Sequence, residues 1–160
     1  MIPASDETDW QQLAAAMAVM QSLAIVSGGP GTGKTHTVAA ILSLLVEQAL
    51  ASGQQLRIAL AAPTGKAATR LTESIRKARS VLHAPESVKN AIPAEAQTLH
   101  RLLGVRPGRV TPRYNAQNPL HLDVLVVDEA SMIDLPLMHR VFAALPRGAR
   151  LIVLGDRDQL

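Results

Sequence analysis

Apolar residues along the chain fall into two kinds of run. Four are short and continuous: SLAIVS (22–27), LRIALAA (56–62), DVLVV (123–127) and LIVLG (151–155). Runs of that length without polar alternation predict strands buried on both faces, as in a parallel sheet. The others recur every three to four residues. THTVAAILSLLVEQALAS (35–52) reads as a helix that closes at Gly53. Residues 66–82 set Ala67, Leu71, Ile75, Ala78 and Leu82 on one helical stripe. Asp134 is placed to cap a helix through LPLMHRVFAAL, with Pro136 tolerated in its first turn and Pro146 as its stop.

Strand-like and helix-like runs alternate. That predicts an α/β fold, a mainly parallel sheet joined by crossover helices. The stretch 83–121 interrupts the alternation with Pro, Gly, Arg and Asn, and predicts a surface excursion holding one short helix around TLHRLL (98–103). No repeat and no low-complexity tract is present.

Composition narrows the class. At 160 residues, 48% of them apolar and 18% charged, the chain is one globular domain's worth rather than a disordered one. The absence of cysteine excludes a disulfide framework and thiolate metal sites, and suits a reducing compartment such as the cytoplasm. Five histidines (36, 83, 100, 121, 139) lack the close spacing of a structural zinc site. The early apolar run LAAAMAVM (13–20) is too short to span a membrane and is preceded by acids, where a signal peptide would carry positive charge. Net charge is +3, but residues 64–113 hold ten Lys/Arg against three Glu, a local +7 over a remainder of −4. A solvated helix face would show the same excess; the functional alternative is a surface for an anionic polymer, most plausibly nucleic acid.

Candidate chemistry begins at Gly28-Gly29-Pro30-Gly31-Thr32-Gly33-Lys34-Thr35, which fits G-x-x-x-x-G-K-[ST] between a strand and a helix, the context of a phosphate-binding loop. Its glycines let backbone N–H groups turn toward phosphate oxygens at a helix N-terminus. Lys34 would neutralise the β/γ-phosphates and Thr35 would ligate Mg²⁺. In LVVDEAS (125–131) a strand ends in the adjacent acids Asp128 and Glu129. The first can hold Mg²⁺ and the second can orient and deprotonate an attacking water. The expected ligands are therefore a nucleotide and Mg²⁺, and the acid pair favours hydrolysis over transfer to a small substrate.

Four further stretches are candidates. APTGKAA (62–68) puts Pro63, Thr64, Gly65 and Lys66 between a strand end and a basic helix continuing through Arg70, a good seat for a polynucleotide phosphate. In TLHR (98–101), Thr98, His100 and Arg101 could contact a sugar–phosphate chain or serve structure alone. Gln11, in WQQ (10–12), could read adenine through its amide. Finally, if the sheet has the order usual for such hydrolases, the strand at 151–155 lies between those ending at the phosphate loop and at Asp128. GDRDQL would then aim Gln159 at the γ-phosphate.

SGGPGTGKT, LAAPTGKAATRLTES, TLHRLLG, NPLHLDVLVVDEASMIDLP and LGDRDQL, in that order, closely resemble the motor core of the RecD family, the alpha subunits of exodeoxyribonuclease V and superfamily 1 DNA helicases. The resemblance covers roughly residues 9–160. It implies a RecA-like P-loop domain, a three-layer α/β/α sandwich, coupling ATP hydrolysis to 5′ to 3′ movement on single-stranded DNA in recombinational repair, with RecB- and RecC-like partners. Gln11 then matches the adenine reader, Lys34, Thr35, Asp128 and Glu129 the phosphate, magnesium and water residues, and Gln159 the link between γ-phosphate and DNA. Thr64, Lys66, Thr98 and His100 fall in motifs that bind single-stranded DNA.

Family members are several times longer, with an N-terminal assembly domain and a second motor domain that supplies a catalytic arginine. The expectation is an incomplete first motor domain that binds nucleotide and hydrolyses it almost undetectably by itself. Only three aromatics are present (Trp10, Tyr114, Phe142), so base stacking is sparse. The rival readings are a clamp-loader-type ATPase, against which PTGKAA and GDRDQL argue, and a nucleotide-dependent assembly module.

Overall fold

The structure, a computed structural model, describes residues 20–29 and 31–156. Five strands form one sheet: β1 (Leu23–Ser27), β2 (Ile58–Ala62), β3 (Gln97–Thr98), β4 (Val124–Val127) and β5 (Arg150–Gly155). Their spatial order is β1-β5-β4-β2-β3, and every neighbouring pair is parallel. All strands therefore end on the same rim, and β5 lies between β1 and β4.

Both faces are covered. Alternate side chains of β4 divide between two cores: Val124 and Val126 pack with α1 (Lys34–Ala51), α2 (Gly65–Val81) and α3 (Glu86–Ala91), while Leu125 and Val127 pack with α4 (Leu99–Leu102) and α5 (Leu135–Ala144). A period of two on a strand requires this division, and burial on both sides explains why the run is continuously apolar. The helical stripe on α2 is buried at Ala67, Leu71, Ile75 and Ala78. Helix α1 closes with Gly53 at φ +71 and its N–H donating to Leu50 O, and Asp134 Oδ1 caps α5 by accepting from Leu137 N at 2.7 Å.

Two expectations change. Strand β1 is not buried on both faces: Leu23 and Ile25 are 48% and 66% exposed, while Ala24 and Val26 pack on the first core. It is an edge strand, paired only with β5 and covered on one face among the described residues. The stretch 83–121 holds more than one short helix. Residues 86–103 contribute α3, β3 and α4, with Val88, Ile92, Leu99, Leu102 and Leu103 buried, and the longest continuously exposed run is 106–111. Strand β3 has no apolar run to betray it; it pairs Gln97 and Thr98 with Ala61 and Ala62.

At the opposite rim, the Arg57 backbone N–H donates to Asp123 Oδ2 at 2.8 Å, and its guanidinium donates through Nε (3.1 Å) and Nη2 (3.0 Å) to the two carboxylate oxygens. This clamp joins the starts of β2 and β4. The guanidinium hydrogen bonds hold the Asp123 carboxyl below the usual range, against a smaller opposing effect of burial.

Candidate nucleotide-binding site

Strand β1 delivers Gly28 to Thr35 to the rim where all strands end. Gly31 (φ +74) and Gly33 (φ +83) take left-handed conformations that let the chain curl and enter α1 directly. Gly28 is tight as well: a Cβ there would lie 2.6 Å from Thr32 Oγ1. Thr32 Oγ1 donates to Gly29 O at 2.8 Å. The Lys34 ammonium folds back on the loop, donating to Gly28 O and, at 3.2 Å, to Gly29 O. Thr35 follows, half-buried in the first turn of α1. Pro30 lies outside the described residues, as do Gln11 and Gln159.

The acid pair leaves β4 two strands away. Asp128 N donates to Ala61 O at 3.0 Å, so the carboxylate stands where the ladder ends. Its Oδ1 accepts from Glu129 N at 2.8 Å. Burial pushes this carboxyl above the usual range, opposed by the Glu129 N–H and by the charge on Lys34. Desolvation is the larger effect, which marks a carboxylate suited to a cation. Glu129 has φ +51 and ψ +45, alone among the described non-glycine residues in the left-handed region. That conformation costs about 1–2 kcal/mol and turns the chain sharply off β4.

A cavity of about 400 Å³ brings these groups together, with Lys34, Asp128, Glu129, Gly155, Asp156 and Arg70 among its lining. The end of β5 thus joins the phosphate loop and the acid pair, as the sheet order requires. Arg70 is the residue that sequence reasoning placed elsewhere. It belongs to α2, after β2, and its Nη1 lies 3.9 Å from Glu129 Oε1. The signal for it was the pairing of β2 with β4, which the sequence does not display.

Thr35 and Asp128 offer hard oxygen donors, and no cluster of three or more His, Cys, Asp or Glu able to hold a metal occurs among the described residues. That donor set suits Mg²⁺, which takes one or two protein oxygens and completes its shell with water and substrate phosphates.

Pro63, Thr64, Gly65 and Lys66 follow β2 on the same rim, beside Thr98 at the end of β3. Both threonines have structural duties: Thr64 Oγ1 accepts from Ala67 N and Thr98 Oγ1 from Arg101 N, each at 3.2 Å, as helix N-caps. Gly65, Lys66 and His100 are exposed. Arg101 leaves this group. It lines a separate cleft with Arg57, Arg106 and Arg113, near the start of β2.

A family model described as an AAA domain matches residues 11–160. The chain is 51% identical over 159 residues to the RecBCD enzyme subunit RecD of Haemophilus influenzae, covering 97% of this chain and 24% of that protein. It is 40% identical over 138 residues to the ATP-dependent RecD2 DNA helicase of Deinococcus radiodurans, covering 86% of this chain and 16% of that protein. The chain thus spans a quarter or less of the length of these relatives. A solved Pif1 helicase structure concerned with unwinding of forked double-stranded DNA covers 98% of this chain and 34% of its own, at TM-score 0.52 and 23% identity, which speaks to the fold. The ordered parallel sheet is that of a RecA-like P-loop domain, and with the family model spanning nearly all of it, the chain belongs to the AAA domain family.

Proposed function

We propose that these residues form the ATP-binding half of the motor in a 5′ to 3′ DNA helicase subunit, acting with RecB- and RecC-like partners in the cytoplasm during recombinational repair. One observation carries the reading: Lys34, Asp128 and Glu129 converge in one cavity, while on the same rim β2 leads into Thr64–Lys66 and β3 ends at Thr98. A site for a nucleoside triphosphate and a seat for polynucleotide phosphate thereby share one edge of one sheet. The names of its relatives, RecD and RecD2 helicase, point the same way.

The loop would cradle the triphosphate, with Lys34 released from Gly28 and Gly29 to the β/γ-phosphates and Gln11 on the adenine. Glu129 would accept the proton of a water whose oxygen bonds to the γ-phosphorus, as the bond to the bridging oxygen breaks and its electron pair leaves with ADP. Mg²⁺ would be held by Thr35 and Asp128 and would supply charge neutralisation. Gln159 would sense the γ-phosphate from the end of β5.

The test is ATP turnover by a full-length polypeptide of the size of its relatives, with and without single-stranded DNA. Turnover should rise on adding DNA, and Lys34→Ala should abolish both turnover and binding of a fluorescent ATP analogue while circular dichroism stays unchanged. Turnover indifferent to DNA would instead favour an assembly ATPase.

A further inference from the structure

The edge of β2 that faces away from β4 is only partly covered. Strand β3 pairs with Ala61 and Ala62 and goes no further, although β2 begins at Ile58. On the β4 side, Val124 N and Asp128 N donate to Arg57 O and Ala61 O. Main-chain groups alternate between the two edges of a strand, so those of Ile58 face the uncovered edge, where an added strand can pair with them.

A cleft of about 430 Å³ opens at this edge, between Gln97 of β3 and the starts of β2 and β4. Its floor is apolar and buried or half-buried, made by Ile58, Ala59, Leu102, Leu120 and Leu122. Its rim carries Arg101, Arg106 and Arg113, and an adjoining hollow that shares Arg106 and Arg113 adds Arg109. All four arginines are exposed, and no acid lies between Glu95 and Asp123 to neutralise them. None of the four has an ion pair among the described residues, whereas Arg57 is taken by Asp123.

The loop that bears these arginines is pinned at its neck. Tyr114 N donates to Leu103 O at 3.1 Å and Arg113 N to Gly104 O at 3.3 Å. Gly104 has φ +65, and a Cβ there would lie 2.7 Å from Arg113 Cβ. Within the loop, Arg109 N donates to Arg106 O at 3.2 Å and turns the chain between the two. Cations fixed before a partner arrives lose less freedom on binding.

Arginine forks suit carboxylates and phosphates alike. Two features here favour the carboxylates of a peptide. The Tyr114 ring, the aromatic side chain of the cleft, is engaged by the Arg113 guanidinium at 5.2 Å and by His121 edge-on at 6.3 Å, so it is not free to stack a base. The apolar floor and the open edge match the alternate side chains and the main chain of an extended peptide, and a sugar–phosphate chain offers neither.

We propose that this cleft docks an extended acidic segment of a partner protein. The segment adds beside Ile58 on the open edge of β2, sets apolar side chains on the floor, and gives its carboxylates to Arg101, Arg106 and Arg109. The surface is separate from the nucleotide cavity, and the proposal does not depend on the function assigned to that cavity.

The experiment uses the full-length polypeptide and fluorescence anisotropy of short labelled peptides that alternate Glu with Val or Lys with Val. The Glu–Val peptide should bind, less tightly as salt is raised, and the Lys–Val peptide should not. Joint replacement Arg106→Glu and Arg109→Glu should weaken the Glu–Val peptide by about tenfold or more. The milder pair Arg106→Gln and Arg109→Gln should act in the same direction, with melting temperatures unchanged because both side chains are exposed. Labelled oligo(dT) and labelled duplex DNA should bind the altered and unaltered proteins equally. Glu–Val peptides N-methylated at every Glu or at every Val each lose the main-chain donors of one edge, and one of the two should bind more weakly than the parent. A Glu–Val peptide that does not bind, or that binds the charge-reversed protein as well as the unaltered one, overturns the proposal. Weakened DNA binding with peptide binding untouched assigns the arginines to nucleic acid and overturns it too. Full affinity in both N-methylated peptides overturns the strand addition. ATP turnover enters none of these measurements, so their failure leaves the nucleotide site as described.

Discussion

Asp128 shows how a side chain suited to the chemistry proposed for it is unsuited to its surroundings. Burial raises its proton affinity in the fold above that of the unfolded chain, despite the nearby Lys34 charge. A raised carboxyl value means that stability is lost as pH rises through that value, so the ionised form is a liability at neutral pH. Asp128→Asn keeps an oxygen for the Glu129 N–H and removes the charge. We expect a higher melting temperature in magnesium-free buffer at pH 7, together with loss of the Mg²⁺-dependent gain in ATP-analogue affinity. A lower melting temperature would show that the charge is not a net cost. Lys34, Asp128 and Glu129 were legible in the sequence because each lies within a few residues of a strand end, in a pattern that chemistry dictates. Arg70 was not, since its partner follows β4, whose pairing with β2 the sequence does not display.

Among the elements, the helix stripes were legible from periodicity, the longer strands from continuous apolar runs, and the cap at Asp134 from residue type. Strand β3 was not, because two residues of sheet edge leave no pattern. Nor was the exposure of β1, which depends on the order of strands rather than on their composition. The clamp between Arg57 and Asp123 ties the starts of β2 and β4, and its contribution depends on pH in a definite direction. The Asp123 carboxyl titrates lower in the fold than unfolded. Its stabilisation is therefore complete above the unfolded value of about 3.9 and is lost as pH falls through the lower folded value. Asp123→Asn should be less stable than the unaltered chain at pH 7, and the gap should close in urea melts taken toward pH 2. A gap independent of pH would mean that the clamp acts through hydrogen-bond geometry without its charge.

At the scale of the whole molecule, the α/β class and the two-sided covering followed from alternation alone, whereas the neighbours of each strand did not. The position of β5 between β1 and β4 was expected only from the sheet order usual for such hydrolases, and the structure has that order. Last in sequence of the five described strands, it stands inside the sheet, pairing Leu23 with Leu151 on one side and Val124 with Arg150 on the other. Arg150 also reaches back to Gln21 O at 3.0 Å. Such distant pairings slow folding, because loop closure precedes any reward from the contact. A chain ended at Arg147 should keep helical signal in circular dichroism yet bind no fluorescent ATP analogue; retained affinity would show that β1 holds the phosphate loop without its neighbour. During synthesis, the strand carrying that loop is made before β5 and has no seat in the sheet until β5 leaves the ribosome. Nucleotide affinity then has to wait for β5, however long before it the loop itself was made.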